Sequence, residues 1–134
     1  MMKRLNGAIG LAALLSMGLA TPVSAQNDRA PKPAPETMMR CLAYNLTMFE
    51  IERQAGGFDP NRQNAIEGWT GVLRQEYSTE DRFIQAFQSY LETFVKEAAA
   101  VFDKGGDAAL AFVDDHMVKC GPYETENFGP DGER

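Results

Sequence analysis

The sequence predicts an all-α domain, an antiparallel up-down-up-down four-helix bundle stapled by one disulfide. Three observations carry that expectation. Residues 36 to 122 divide into four runs with helical apolar spacing, each bounded by turn or capping residues. No run alternates strictly between apolar and polar residues as a half-buried strand does, and no tandem repeat is present. The two cysteines lie at opposite ends of this region, Cys41 in the first run and Cys120 closing the last.

The first run, Glu36 to Ala55, places Met38, Met39, Cys41, Leu42, Leu46, Met48, Phe49 and Ile51 on an arc of roughly 240° at about 100° per residue. A helix apolar over so much of its surface is central in the fold or shared with a second copy. "GGFDP" at 56 to 60 ends it and starts the second run, Pro60 to Tyr77. There the stripe is narrower, with Ile66, Trp69, Val72, Leu73 and Tyr77. Gly68 and Gly71 weaken this helix locally and permit close approach of a neighbour.

Ser78, with Asp81 three residues on, marks the start of the third run, Thr79 to Lys104. Ile84, Phe87, Leu91, Phe94, Ala98 and Val101 recur in steps of three and four, which is bundle-core patterning. "KGGD" at 104 to 107 breaks the pattern, with Asp107 as the next helix start. The fourth run, Ala108 to Cys120, has the stripe Leu110, Val113, Met117, Cys120 and stops at "CGP".

In such a bundle the start of helix one and the end of helix four share one end, which brings Cys41 to Cys120. Cross-linking so long a loop stabilises by about 4 kcal/mol in the chain-entropy account. No Cys-x-x-Cys spacing points to redox chemistry, so the pair reads as structural.

Outside this region, residues 1–25 have the parts of a signal peptide. Lys3 and Arg4 precede a short apolar run, and Val23, Ser24 and Ala25 give a small-residue exit. The apolar run is too short for a membrane span, which needs about 20 apolar residues. Residues 26–35 carry three prolines in "APKPAP" and read as a flexible leader. Residues 123–134 read as a polar tail. The chain has 13 basic and 19 acidic residues; without Lys3 and Arg4 it has 11 against 19, a net of −8. That charge disfavours nucleic acid and anionic lipid as partners, so neither nucleic-acid binding nor membrane insertion after leader removal is expected.

Chemistry is sparse. His116 is the only histidine and, one turn before Cys120, it faces inward. Met38 sits at the same end of the predicted bundle, so Met38 and His116 form a conceivable axial pair for haem b, the alternative to a protein without cofactor. Against it, no Cys-x-x-Cys-His attachment motif exists, and methionine on an apolar face is ordinarily core filler. Asp114 and Asp115 beside one histidine do not complete a metal site, and no catalytic elbow or phosphate loop occurs. Asn45 opens an Asn-x-Thr sequon but lies on the apolar arc, where with Glu52 it reads as a polar group fixing register or lining an interface. The functional expectation is a small periplasmic or secreted, non-enzymatic protein with an interaction role, such as inhibitor, immunity factor, adaptor or chaperone. A homodimer or an unidentified protein partner would cover its excess apolar surface, and a carrier of haem or a hydrophobic ligand is the alternative.

Overall fold

The computed structural model describes residues 29–129. The expected signal peptide lies outside them, as do residues 26–28 of the leader and 130–134 of the tail. The chain divides into two units, Met1–Ala30 and Pro31–Arg134. Only Arg29 and Ala30 of the first are described.

The described residues of the second unit form five helices: α1 (Pro35–Gln54), α2 (Pro60–Arg74), α3 (Glu80–Asp103), α4 (Gly106–Lys119) and α5 (Gly121–Phe128). No strand occurs among the described residues. None of these helices is long and apolar enough to cross a membrane.

The helix ends follow local chemistry. Pro35 and Pro60 occupy first-turn positions, where a missing N–H costs nothing. Gly56 closes α1 at φ +87°, a left-handed conformation that glycine tolerates. It donates to Arg53 while Gly57 donates to Glu52, the two bonds of a Schellman stop. Asp59 caps α2 by accepting from Asn61 N (2.9 Å). Thr79, not Ser78, caps α3, accepting from Arg82 N (3.2 Å). Helix α4 begins at Gly106, just before the expected Asp107, because Gly105 turns the chain at φ +104°.

Helix α1 is the central element. It packs against α2, α3 and α4, and between Met38 and Asn45 every side chain but Arg40 is buried. One core cluster gathers Met38, Leu42, Trp69, Leu73 and Phe83 around the cysteines; a second gathers Tyr44, Phe94, Ala98 and Phe112. Cys41 and Cys120 are disulfide-bonded, with Cα atoms 5.8 Å apart and no exposed surface.

Three expectations need correction. The polar tail does not begin at residue 123: Gly121–Phe128 forms a fifth helix. Pro122 in its first turn starts this helix rather than ending the previous one. Tyr123 stacks on Trp69 at 5.2 Å, and Phe128 meets the same indole edge-on at 5.2 Å. Phe128 fits because position 68 is glycine; a Cβ there would fall within 2.5 Å of its ring. On α4, Leu110 and Met117 are exposed, whereas Phe112 and His116 are buried. The helix is rotated so that its aromatic side meets Tyr44. Finally, the leader is not wholly free, since Lys32 Nζ pairs with Glu76 at 3.0 Å.

Candidate functional site

Four helices bring polar side chains to one carboxylate. Glu124, from the first turn of α5, accepts three hydrogen bonds on a single oxygen, Oε2. The donors are Trp69 Nε1 of α2 (2.7 Å), Asn45 Nδ2 of α1 (2.8 Å) and His116 Nε2 of α4 (3.2 Å). Asn45 Nδ2 also donates to the Cys41 carbonyl (2.8 Å), and its Oδ1 accepts from Arg62 Nη1 (3.1 Å). Arg62 then grips Glu52 at two points, Nε to Oε1 (3.2 Å) and Nη2 to Oε2 (2.8 Å). This fork-on-fork geometry fixes direction as well as charge. Asn45 and Glu52, the two polar residues on the inward side of α1, are thus joined through Arg62.

Sequence order explains the convergence. Asn45 and Cys41 are one turn apart on α1, and His116 precedes Cys120 by one turn on α4. The disulfide that joins the cysteines therefore holds Asn45 and His116 at the same level. Glu124 is one turn beyond Cys120, on the next helix, and accepts from both.

Burial alone would push the Glu124 carboxyl up, because it disfavours charge. The His116 contact and the bonds from Trp69 and Asn45 outweigh it, so its pKa lies below the ordinary carboxylate value. Burial raises the Tyr44 phenol, opposed by nearby Arg62. The His116 ring stacks on Tyr44, centroids 3.7 Å apart and planes 12° off parallel. Its Nδ1 is buried without a hydrogen-bond partner among the described residues.

Beside the network opens a cleft of about 390 Å³. Its walls are Asn45 of α1, Asp59 and the first turns of α2, Met117 of α4, and Glu124, Thr125 and Phe128 of α5. It lies at the lower end of the volumes at which pockets hold small ligands.

The conceivable haem pair is not brought together at this cleft. Neither Met38 nor His116 lines it. Met38 is sealed in the first core cluster, and His116 Nε2 is committed to Glu124. An axial bond at His116 Nε2 would require dismantling the network, so the residues present do not fit that group. Asn45 is 1% exposed, which keeps its sequon from reaching solvent. No group of three or more His, Cys, Asp or Glu side chains suited to a metal ion occurs among the described residues.

Sequence reasoning missed Glu124, Trp69 and Arg62 as a unit. The available signal was Pro122 followed by Tyr123 and Phe128, which marks a short helix with aromatic anchors. No known family model, curated protein or solved structure matches the chain.

Proposed function

We propose that this protein is a non-enzymatic interaction module that works outside the cytoplasm and docks a protein partner on α4. The observation that carries this reading is the exposed face of that helix. Leu110, Met117 and Val118 are 69%, 57% and 74% exposed, while Phe112 and His116 opposite them are buried. An isolated exposed leucine means little, but neighbouring large apolar side chains on one short helix mark a contact surface. The fully buried disulfide supports export, since such bonds persist in oxidising compartments. The same bond, joining the second turn of α1 to the end of α4, supports an up-down-up-down arrangement of α1–α4 with α5 strapped across α2.

A second copy of the chain is the other reading, favoured by Ile84 and Val95, which share an exposed face of α3. Site-specific photo-crosslinking of the protein in its own secreting cells separates the two. A crosslinker at Val118 should yield an adduct with another protein that Leu110→Lys abolishes, and one at exposed Gln63 should not. An adduct of twice the chain's mass identifies a homodimer. No adduct at Val118 under conditions where the protein is folded refutes docking on α4.

A further inference from the structure

The exposed face of α4 is not purely apolar. Asp107, Leu110, Asp114 and Met117 follow each other at steps of three, four and three, so carboxylates and apolar side chains alternate along one stripe. Met117 ends the stripe and is also a wall of the cleft, so stripe and cleft are one continuous surface. At the cleft Glu124 presents a divided carboxylate. Oε2 is saturated by three donors, whereas Oε1 takes no hydrogen bond among the described residues. Asp59 is similar, with Oδ1 engaged in capping and Oδ2 unbonded among the described residues.

Arg62 in the same wall offsets only part of this charge, because its guanidinium pairs at two points with Glu52 and also feels Asp59. Asp59, Glu124 and Arg62 line the cleft, while Glu52 and the His116 ring stand behind it, bonded to Arg62 and Glu124. The balance remains negative whether or not His116 carries a proton. Met117, Ala65 and Phe128 add apolar surface to the same lining. A cavity lined by both carboxylates and apolar side chains matches a basic side chain, whose aliphatic stem seeks apolar cover while its head stays charged.

Resting on the interaction reading above, we infer that α4 and this cleft together receive a basic amphipathic helix of the partner. Its apolar residues lie against Leu110 and Met117. One arginine or lysine enters the cleft toward Glu124 Oε1 and Asp59. Binding is electrostatically steered and weakens with salt, as contacts between exposed charges do.

The test uses a synthetic helical peptide with leucines at heptad spacing flanked by arginines, and a companion with glutamate for arginine. Calorimetry measures affinity, and Trp69, the chain's one tryptophan and a direct partner of Glu124, reports occupancy by its emission. The arginine peptide should bind and the glutamate peptide should not. Asp59→Asn keeps the helix cap yet should weaken binding on the order of fivefold, the effect of one exposed ion pair. Met117→Lys should abolish it. Glu92→Gln, on α3 away from the cleft, removes the same charge and should change nothing. Equal losses in Asp59→Asn and Glu92→Gln would overturn the inference in favour of unspecific attraction. No binding of the arginine peptide, with Val118 crosslinks to a partner intact, would overturn the basic partner and leave the α4 interaction standing.

Discussion

Replacing Glu124 is the most exacting perturbation this structure offers, because one oxygen serves three helices. In Glu124→Gln an amide oxygen can still accept at the Oε2 position, and the new NH₂ group points to the cleft, where water satisfies it. What disappears is the charge, and charge-assisted bonds are roughly twice as strong as neutral ones. With bonds to charged groups contributing about 1.5–3 kcal/mol and neutral ones about 1, three bonds lose roughly 1.5–6 kcal/mol. Relief of the carboxylate's desolvation offsets part of this, so the expected net loss is about 1–3 kcal/mol. Glu124→Ala is harsher. It strands Trp69 Nε1, one Asn45 proton and His116 Nε2 without their acceptor, and should cost about 3–5 kcal/mol. Against a total stability of about 5–15 kcal/mol, that is a large share.

The assay is urea unfolding followed at Trp69 emission and by circular dichroism, with coincident curves as the two-state check. The pH dependence supplies a second, independent readout. The folded Glu124 carboxyl titrates below its ordinary value of 4.5, so the native state holds fewer protons there than the unfolded chain. Its contribution is therefore fully present above that value and lost as pH falls through the lower, folded one. The stability gap between wild type and Glu124→Gln should shrink in acid as the Glu124 carboxylate takes up its proton. A Glu124→Gln protein within 0.5 kcal/mol of wild type, or a gap independent of pH down to unfolding, would refute the network's role; that threshold is about the scatter among neutral surface changes.

Gly68→Ala gains about 1 kcal/mol of helix propensity but drives a methyl into the Phe128 ring, an overpacking cost of about 1–3 kcal/mol. The net should be mildly destabilising, with faster amide exchange confined to 121–128, and Phe128→Ala should remove the penalty. Replacing Cys41 and Cys120 together by alanine should cost about 4 kcal/mol in urea unfolding, the loop-closure entropy of a 79-residue separation. Leu110→Ser should leave the urea midpoint nearly unchanged, whereas Phe112→Ala, one face away, should cost about 3 kcal/mol.

The disulfide and the primacy of α1 were legible because both follow from one-dimensional patterns. A helix with apolar side chains on most of its surface has to be surrounded, and α1 is. Two cysteines at the ends of a helical region meet when the chain folds back on itself. The register of α4 was not legible in the same way. Its sequence carries two competing stripes, aliphatic Leu110–Val113–Met117 and aromatic Phe112–His116. Hydrophobicity favours the first; the stacking of His116 on Tyr44 and the contact of Phe112 with Phe94 select the second. Glu124 was hidden for a different reason. Amid "YETENF" it resembles any solvated acid, and its meaning lies in partners 55 and 79 residues away. Long-range polar pairing leaves no periodic trace, whereas apolar burial does.

The position of the cleft follows from that hidden residue. Helix α5 has eight residues, too few to persist on propensity alone. Its apolar anchors, Tyr123 and Phe128 on Trp69, give adhesion but little direction, because hydrophobic burial is indifferent to small rotations. Hydrogen bonds are not indifferent. Turning α5 by one residue moves its side chains by about 100° and would carry Glu124 away from all three donors at once. The network thus sets the register of α5, and the wall that α5 gives the cleft is set with it. Thr125 and Phe128 cannot shift independently while Glu124 is held from α1, α2 and α4. A buried ionic network adds little net stability compared with an apolar core; what it adds here is a single geometry for a helix that would otherwise slide. A cleft built on such a helix is preorganised, so a ligand entering it meets walls whose ordering cost was already met in folding.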